Sequence, residues 1–503
     1  MSLGKEIKVL DCTLRDGGYY TNWDFERELT KKYFGYISQL PIEYVEVGYR
    51  SRLKDEYFGE FFYLPLSTLQ NIKKYTSKKI AVMLNAKDCD GIDLKDLLSD
   101  VKDYVSLIRV ATDPKKIEFS IRLAKEIKSL GFDVALNIMY ISKIDHNHIF
   151  FDFISEINDC VDVLNLVDSY GSIYPHELKN LIKNIQNKAN IPLGFHGHNN
   201  LELTLANTLE SIECGVSYID STILGMGRGA GNLKTELLLT YLKSKQNIEV
   251  DLNVLGKLTE IFLPLQAKYK WGTNFAYMVS GAYSLPQKDV MEALEIDRYS
   301  LTGIVNQIKN NSNIELPIFS DVRRFDNCLI IGGGQSVACH FEATKEFMNK
   351  TQNLLIIHST SKHIELFKEI DILQYFSVAG DELLKLDDTK KIDKYILEPS
   401  PRKISSNFND SFNMYELEKI EFINSYHDSP LTIGLQAGLD IKTPNIYLAG
   451  FDGYGELKSK KELYLMQENQ AIIDEFVKKK RLVSITATKY KKLEESSVYG
   501  MIV

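Results

Sequence analysis

The sequence predicts an α/β protein: a (β/α)8 TIM barrel with a helical extension, followed by a smaller Rossmann-like α/β domain. Three observations carry that expectation. Eight short aliphatic and β-branched runs recur between Ile7 and Gly227. Stretches with a 3.6-residue apolar period separate them. Beyond residue 320 a second strand–turn–helix pattern begins.

The runs are IKVLDCTL from Ile7, IEYVEVGYR from Ile42, KIAVMLNA from Lys79, SLIRVAT from Ser106, DVALNIMY from Asp133, VLNLVDSY from Val163, PLGFHGHN from Pro192 and YIDSTILGMG from Tyr218. Each is nearly continuous in apolar character, as a parallel strand covered on both faces must be. Their spacing leaves room for one crossover helix each, the repeating unit of the barrel. Between the fourth and fifth runs, FSIRLAKEIKSLGF brings Ile121, Leu123, Ile127 and Leu130 near one stripe, and Gly131 stands where a C-cap belongs. The barrel is therefore expected over residues 1–245.

Residues 246–315 read as further helices around KYKWGTNFAYMVSGAYSLPQKDVMEAL, an extension packed on the barrel, and NNSNIELPIFSD reads as a linker. The second domain is expected over residues 320–503. Its strands are DNCLII, NLLIIHST, YFSVAG, NIYLAGFDG and LVSITATKY.

The chain has 503 residues, 44% apolar and 25% charged, with a formal charge of −8. That balance is ordinary for a globular protein and argues against nucleic-acid or anionic-membrane partners, which call for a basic face. The six cysteines (Cys12, Cys89, Cys160, Cys214, Cys328 and Cys339) are scattered without a CxxC pair. They read as free thiols in a reducing compartment. With no secretory h-region and no apolar run near the ~18 residues of a membrane span, a cytoplasmic protein is expected.

Active sites of TIM barrels lie at the carboxyl ends of the strands. Polar residues gather at those ends here. The first strand is expected to end in Arg15-Asp16-Gly17-Gly18, the second carries Glu46, and the sixth ends in Asp168-Ser169-Tyr170. The seventh carries His196 and His198, and the eighth runs into GMGRGAGN, ending at Asn232. Residues two apart on a strand share a face, so both imidazoles can aim at one point. Imidazole nitrogen ligates Mn, Fe, Co or Zn well, and one carboxylate from a neighbouring strand completes a three-ligand site with open positions. Asp16 is a near neighbour once the barrel closes. The glycine-rich turn can present backbone amides to an anion, or bring Asn232 to the metal. A fixed guanidinium at Arg15 can stabilise an enolate or a carboxylate.

LDCTLRDGG, GFHGHNN and MGRGAGN, in that order, resemble the DRE-TIM metallolyase superfamily, the HMG-CoA lyase-like enzymes, over about residues 7 to 300. The aldolase branch, with the 4-hydroxy-2-oxovalerate aldolases, is the most similar, partly through WGTNFAYMVSG. The resemblance implies a metal held by Asp16, His196 and His198, with Asn232 as a fourth ligand and Arg15 steadying the enolate oxygen. It implies Mn2+ or Mg2+, with Co2+ or Zn2+ as alternatives. It also implies a 2-oxoacid such as pyruvate and an aldehyde as substrates, and a homodimer as the assembly. Two departures stand out. The base histidine that such aldolases carry after RDG is replaced by Gly18-Tyr19-Tyr20, and the Glu-Gln of the acyl-CoA condensing enzymes is missing as well. Tyr19, Tyr20, Glu46 and Tyr170 are the candidates for proton transfer, and a Claisen-type acyl-CoA reaction is the alternative chemistry.

In the second domain, IIGGGQS after a strand can cradle a phosphate, although it lacks GxGxxG spacing. With the strand ending in Gly450-Phe451-Asp452, it is similar to sialyltransferase-like and pterin-pyrophosphokinase-like Rossmann domains. That resemblance implies a nucleotide or nucleotide-sugar held near Gly332, Gly333, Gly334, Ser336 and Asp452, and glycosyl transfer as an alternative activity.

Overall fold

Parallel strands need a crossover between each pair, and the spacing of the eight runs supplies it. A computed structural model describes residues 7–145, 148–296, 316–379, 392–400, 413–454 and 459–503. The chain divides into two units, Met1–Met291 and Glu292–Val503. In the first, β1 (Lys8–Asp11), β2 (Tyr44–Tyr49), β3 (Lys79–Asn85), β4 (Val105–Thr112), β5 (Asp133–Ile138), β6 (Val163–Asp168), β7 (Leu193–Gly197) and β8 (Tyr218–Ser221) close into a barrel in sequence order. Every pairing is parallel, and β8 returns to β1 with Leu10 opposite Asp220. The helix Ile117–Ser129 buries Ile121, Leu123 and Ile127, and Gly131 follows its C-cap at φ +89°. No helix among the described residues is long and apolar enough to cross a membrane.

The interior is built in layers by the two-residue period of the strands. Leu10, Tyr44, Ala81, Leu107, Ala135 and Val163 form an apolar layer. Two residues further along their strands the same inward direction is taken by Glu46, Arg109, Asn137, Asn165 and Asp220, all almost fully buried. This second layer is polar. Arg109 reaches Glu46 Oε2 at 3.0 Å and Asp220 Oδ2 at 2.5 Å, bridging β2 and β8 through the barrel centre.

Two expectations are corrected. Arg15-Asp16-Gly17-Gly18 does not extend the first strand, because residues Thr13–Thr21 are a helix. The Asp11 carboxylate accepts from the Thr13 backbone N–H at 3.0 Å, from Tyr33 and from Thr235, which turns the chain out of the sheet. The apolar run Cys12-Thr13-Leu14 conceals that turn in the sequence. Nor does His198 lie on the seventh strand. β7 stops at Gly197, and His198 forms an isolated antiparallel bridge with Asn232.

Helices Leu252–Glu260, Leu263–Tyr269, Phe275–Ala282 and Gln287–Ile296 follow the barrel. They hold the loop after β8: Trp271 Nε1 donates to Leu224 O at 2.9 Å, and Gly272 N to Gly229 O at 3.0 Å. Gln287 Oε1 accepts from Ala230 N at 3.3 Å.

The second unit is a parallel sheet in the order β13-β12-β11-β10-β9-β14-β15-β16. The expected runs are β9 (Asn327–Ile331), β10 (Leu354–His358), β11 (Gln374–Ser377), β14 (Asn445–Ala449) and β15 (Val483–Ser484). The sequence reading missed β12 (Lys394–Leu397), β13 (Met414–Glu416) and β16 (Glu494–Glu495), which are two to four residues long. Alternate residues of β9 enter different cores, Cys328 and Ile330 on one face and Leu329 and Ile331 on the other. Both faces are therefore covered.

Replacing Arg109 with Met would leave Glu46 and Asp220 buried without their shared partner. A loss of about 3–5 kcal/mol in chemical denaturation is expected. Stability equal to the parent would show that the polar layer does not depend on that guanidinium.

Candidate active site

A cavity of about 500 Å3 opens at the carboxyl ends of the barrel strands, and Asn137 of the polar layer reaches its wall. Arg15, Asp16, Tyr19, Tyr170, His196 and His198 all line it. The helix that replaces the end of the first strand presents Arg15 and Asp16 side by side. Arg15 Nε donates to Glu46 Oε2 at 2.8 Å, and its NH1 pairs with Asp16 Oδ1.

The two histidines are held by their Nδ1 atoms. His196 Nδ1 lies 3.0 Å from Asp220 Oδ2, and His198 Nδ1 lies 2.8 Å from the carbonyl oxygen of Asp168. An acceptor on each Nδ1 fixes the tautomer and leaves Nε2 with its lone pair. His196 Nε2 faces Asp16 Oδ2 at 3.6 Å. The imidazole ring centres are 5.1 Å apart. Asn232 donates its amide N–H to Asp16 Oδ2 at 2.7 Å, and its own Oδ1 is buried with no partner among the described residues. A Cβ on Gly227 would sit 2.5 Å from the Asn232 amide nitrogen, so glycine is required there.

Charge at the site follows from burial and neighbours. Burial alone would raise the Asp16 carboxyl; the adjacent Arg15 guanidinium outweighs it and holds the group below its ordinary range. Burial likewise opposes ionisation of Asp220, but Arg109 and His196 bring it down to about 2. His198 is pushed down to about 3, first by burial and then by the neighbouring His196. It is a neutral imidazole at physiological pH.

Cys12, Asp16 and His196 also form a cluster with ligand atoms within 4.8 Å of one another. Cys12 fits a ligand role poorly. Burial raises its thiol well above the usual range, and Sγ lies 3.9 Å from His196 Nδ1, the nitrogen already engaged by Asp220. Asp16 Oδ2 and His196 Nε2 face each other at 3.6 Å, with His198 and the Asn232 amide nearby, and these are oxygen and nitrogen donors of the kind that could hold a divalent cation.

Among the proton-transfer candidates, Tyr19 shares a 3.0 Å hydrogen bond with Tyr49, and the Arg228 guanidinium lies 4.2 Å from its ring centre. Tyr170 packs on Tyr140 with Lys143 over its ring. Tyr20 lies against the glycine loop, accepting from Gly229 N at 3.2 Å. Glu46 is completely enclosed between Arg15 and Arg109 and does not line the cavity. It anchors Arg15 instead of meeting a substrate. The sequence reading gave no role to Arg109 or Asp220. Their signal was a charged residue in the middle of an apolar run.

In the second unit, Gly332, Gly333, Gly334 and Asp452 line a separate cavity. Ser336 donates its backbone N–H to Asp452 Oδ2 at 2.9 Å and its hydroxyl to Oδ1. The amide expected to cradle a phosphate is already held by the protein's own carboxylate.

The HMGL-like family model matches residues 6–262, just over half of the chain. The chain belongs to the HMGL-like family. It is 27% identical over 267 residues to the oxaloacetate decarboxylase of Mycobacterium tuberculosis, covering 50% of this chain and 74% of that one. It is 29% identical over 251 residues to the 4-hydroxy-2-oxovalerate aldolase of Carboxydothermus hydrogenoformans, covering 48% and 71%. It is also similar to the crystal structure of the N-terminal domain of a Bacteroides vulgatus protein described as a candidate aldolase. There the identity is 48%, the TM-score 0.57, and the coverage 59% of this chain and 99% of that one. As an HMGL-like protein with aldolase and decarboxylase relatives, the chain is a carbon–carbon lyase.

The unfolded chain takes up a proton at His198 below its ordinary pKa of 6.5, while the folded chain resists protonation down to about 3. Stability from this group is full above pH 6.5 and is lost as pH falls toward 3. Thermal midpoints should therefore decline from pH 7 to pH 4, and less steeply in His198→Asn. Equal slopes in the two proteins would contradict a neutral buried His198.

Proposed function

We propose that the chain is a divalent-metal-dependent lyase that makes or breaks a carbon–carbon bond beside the keto group of a 2-oxoacid, as a 4-hydroxy-2-oxoacid aldolase does. The observation that supports this reading is Asp16 Oδ2 facing His196 Nε2 at 3.6 Å beside Arg15, with the Asn232 amide on the same carboxylate and the His198 ring 5.1 Å from that of His196. In it, Asp16, His196 and His198 hold the ion and Asn232 offers the fourth ligand. Mn2+ or Mg2+ is the expected metal, and oxygen-rich ligation with two imidazoles also admits Co2+ or Zn2+. A divalent ion bound there supplies Lewis-acid polarisation of the substrate's keto oxygen.

The protein's own groups do the rest. Arg15, fixed along one edge by Glu46, offers N–H donors to the oxygen on which enolate charge develops. Because Glu46 is itself held by Arg109, the guanidinium needs little reorganisation when that charge appears. Tyr19 Oη, backed by Tyr49, exchanges a proton with the substrate's 4-hydroxyl, taking the place of the missing histidine. The Arg228 guanidinium, 4.2 Å from the Tyr19 ring centre, holds that ring in place. Tyr170 closes one wall of the cavity by packing.

A second reading is favoured by the Mycobacterium tuberculosis relative, an oxaloacetate decarboxylase. Loss of CO2 from a 3-carboxy-2-oxoacid leaves the same enolate, and Tyr19 would then only return a proton to carbon. Assays with 4-hydroxy-2-oxovalerate and with oxaloacetate separate the two.

Pyruvate methyl protons should exchange into D2O with added Mn2+ or Mg2+ and should stop exchanging with chelator. Asp16→Asn and His198→Ala should lower that exchange about a thousandfold while the chain stays folded. Exchange that persists with chelator would defeat the reading. Tyr19→Phe should lower kcat for aldol cleavage about a hundredfold or more with KM near the parent value. An unchanged kcat would assign proton transfer to another group.

A further inference from the structure

The strand order of the second unit reverses between β9 and β14, which pair directly with Ile331 opposite Ala449. Open parallel sheets bind ligands at the carboxyl ends of their strands where the order reverses. A cavity of about 390 Å3 lies there, bordered by the turn after β9, the loop after β10, the loop after β14 and the start of the helix Pro430–Asp440. That volume suits a small molecule.

The cavity wall is short of hydrogen-bond partners. Ser429 and Ser359 both line it, are 1% and 8% exposed, and have hydroxyls with no partner among the described residues. Thr432 and Ser377, fully buried nearby on the same helix and at the end of β11, have partnerless hydroxyls as well. Ser429 is the N-cap of the eleven-residue helix Pro430–Asp440, yet its side chain caps nothing. An N-cap serine normally turns its hydroxyl onto the first free amides, and leaving it out of that bond costs stability. The helix start thus offers its positive dipole end, with Ser429 and Ser359 beside it. Lys362 adds a cation at the rim, where Nζ donates to Gly333 O at 2.7 Å. Asp452, the acid closest to the glycine turn, is engaged by both Ser336 donors. Tyr454, Glu468, Asn469 and Tyr490 form the rest of the wall.

We propose that the second unit holds a small phosphorylated molecule in this cavity, with its phosphoryl group at the start of the helix Pro430–Asp440 between Ser429 and Ser359. The glycine turn after β9 forms the side of the site and does not bind the phosphate. A Cβ on Gly334 would meet the Asp452 carboxylate at 2.4 Å, so this glycine serves the Ser336–Asp452 contact. The aromatic wall faces the remainder of the ligand, a sugar ring or a nucleoside.

Titration of the full chain with pyrophosphate should show saturable binding with a Kd of about 1 mM or tighter. Ser429→Asp places a carboxylate where the phosphoryl group would sit and should weaken binding more than tenfold in a chain whose circular dichroism shows it folded. Ser429→Ala keeps the dipole but removes the hydroxyl and should weaken binding about tenfold. Glucose 1-phosphate and UDP, used as competitors, identify the rest of the ligand, and displacement by either supports the site. Pyrophosphate binding that survives both substitutions would place the anion elsewhere, for instance in the barrel. That result, no saturable binding, or failure of both competitors would overturn the proposal. None of these outcomes depends on the aldolase reading.

Discussion

A single chain of buried charges organises the barrel: Arg15 to Glu46, Glu46 to Arg109, Arg109 to Asp220 and Asp220 to His196. It links the helix after β1 with β2, β4, β8 and β7. Each charge taken out of water is costly unless an opposite charge meets it, and here every member has a partner on at least one side. The arrangement is poor value as a source of stability, since apolar residues would fill the same layer more cheaply. Its return is positional. The guanidinium of Arg15 and the ring of His196 terminate the two ends of the same network, held by Glu46 and Asp220, so the two groups that flank Asp16 share one frame.

The barrel was legible because its strands are buried on both faces and its helices are amphipathic, so both periods survive in the sequence. The candidate residues stood out because Asp16, His196, His198 and Asn232 lie in short motifs with glycine neighbours; the structure puts the first three on one cavity wall and bonds Asn232 to Asp16. What stayed hidden has definite causes. The helix Thr13–Thr21 begins inside a run that still looks like a strand, and its start depends on the Asp11 carboxylate, whose partners Tyr33 and Thr235 are distant in sequence. Arg109 and Asp220 read as isolated charges in apolar strands until closure of the barrel joins them. Strands of two or three residues in the second unit, such as Glu494–Glu495 and Met414–Glu416, are too short to show any period.

The glycine turn Gly332–Gly334 shows the limit of reading motifs by composition. Its residues suggest an anion cradle, and the turn is indeed built around a carboxylate. That carboxylate is Asp452, supplied from the loop after β14, so the same backbone geometry that could receive a phosphate serves to join two adjacent strand ends. A sequence alone cannot distinguish a cradle filled from within from one filled from without.

The loop carrying Asn232 is fastened by Trp271, Gly272 and Gln287, all beyond the eighth strand and its helix. Part of the catalytic geometry is thus encoded outside the segment that closes the barrel. In terms of inheritance, the indivisible module is longer than the fold's own repeat count implies. A gene fusion or recombination that joined this barrel to a new neighbour would have to cut after Gln287, because a junction at the last βα unit would pass on a closed barrel whose loop after β8 has lost its fastenings.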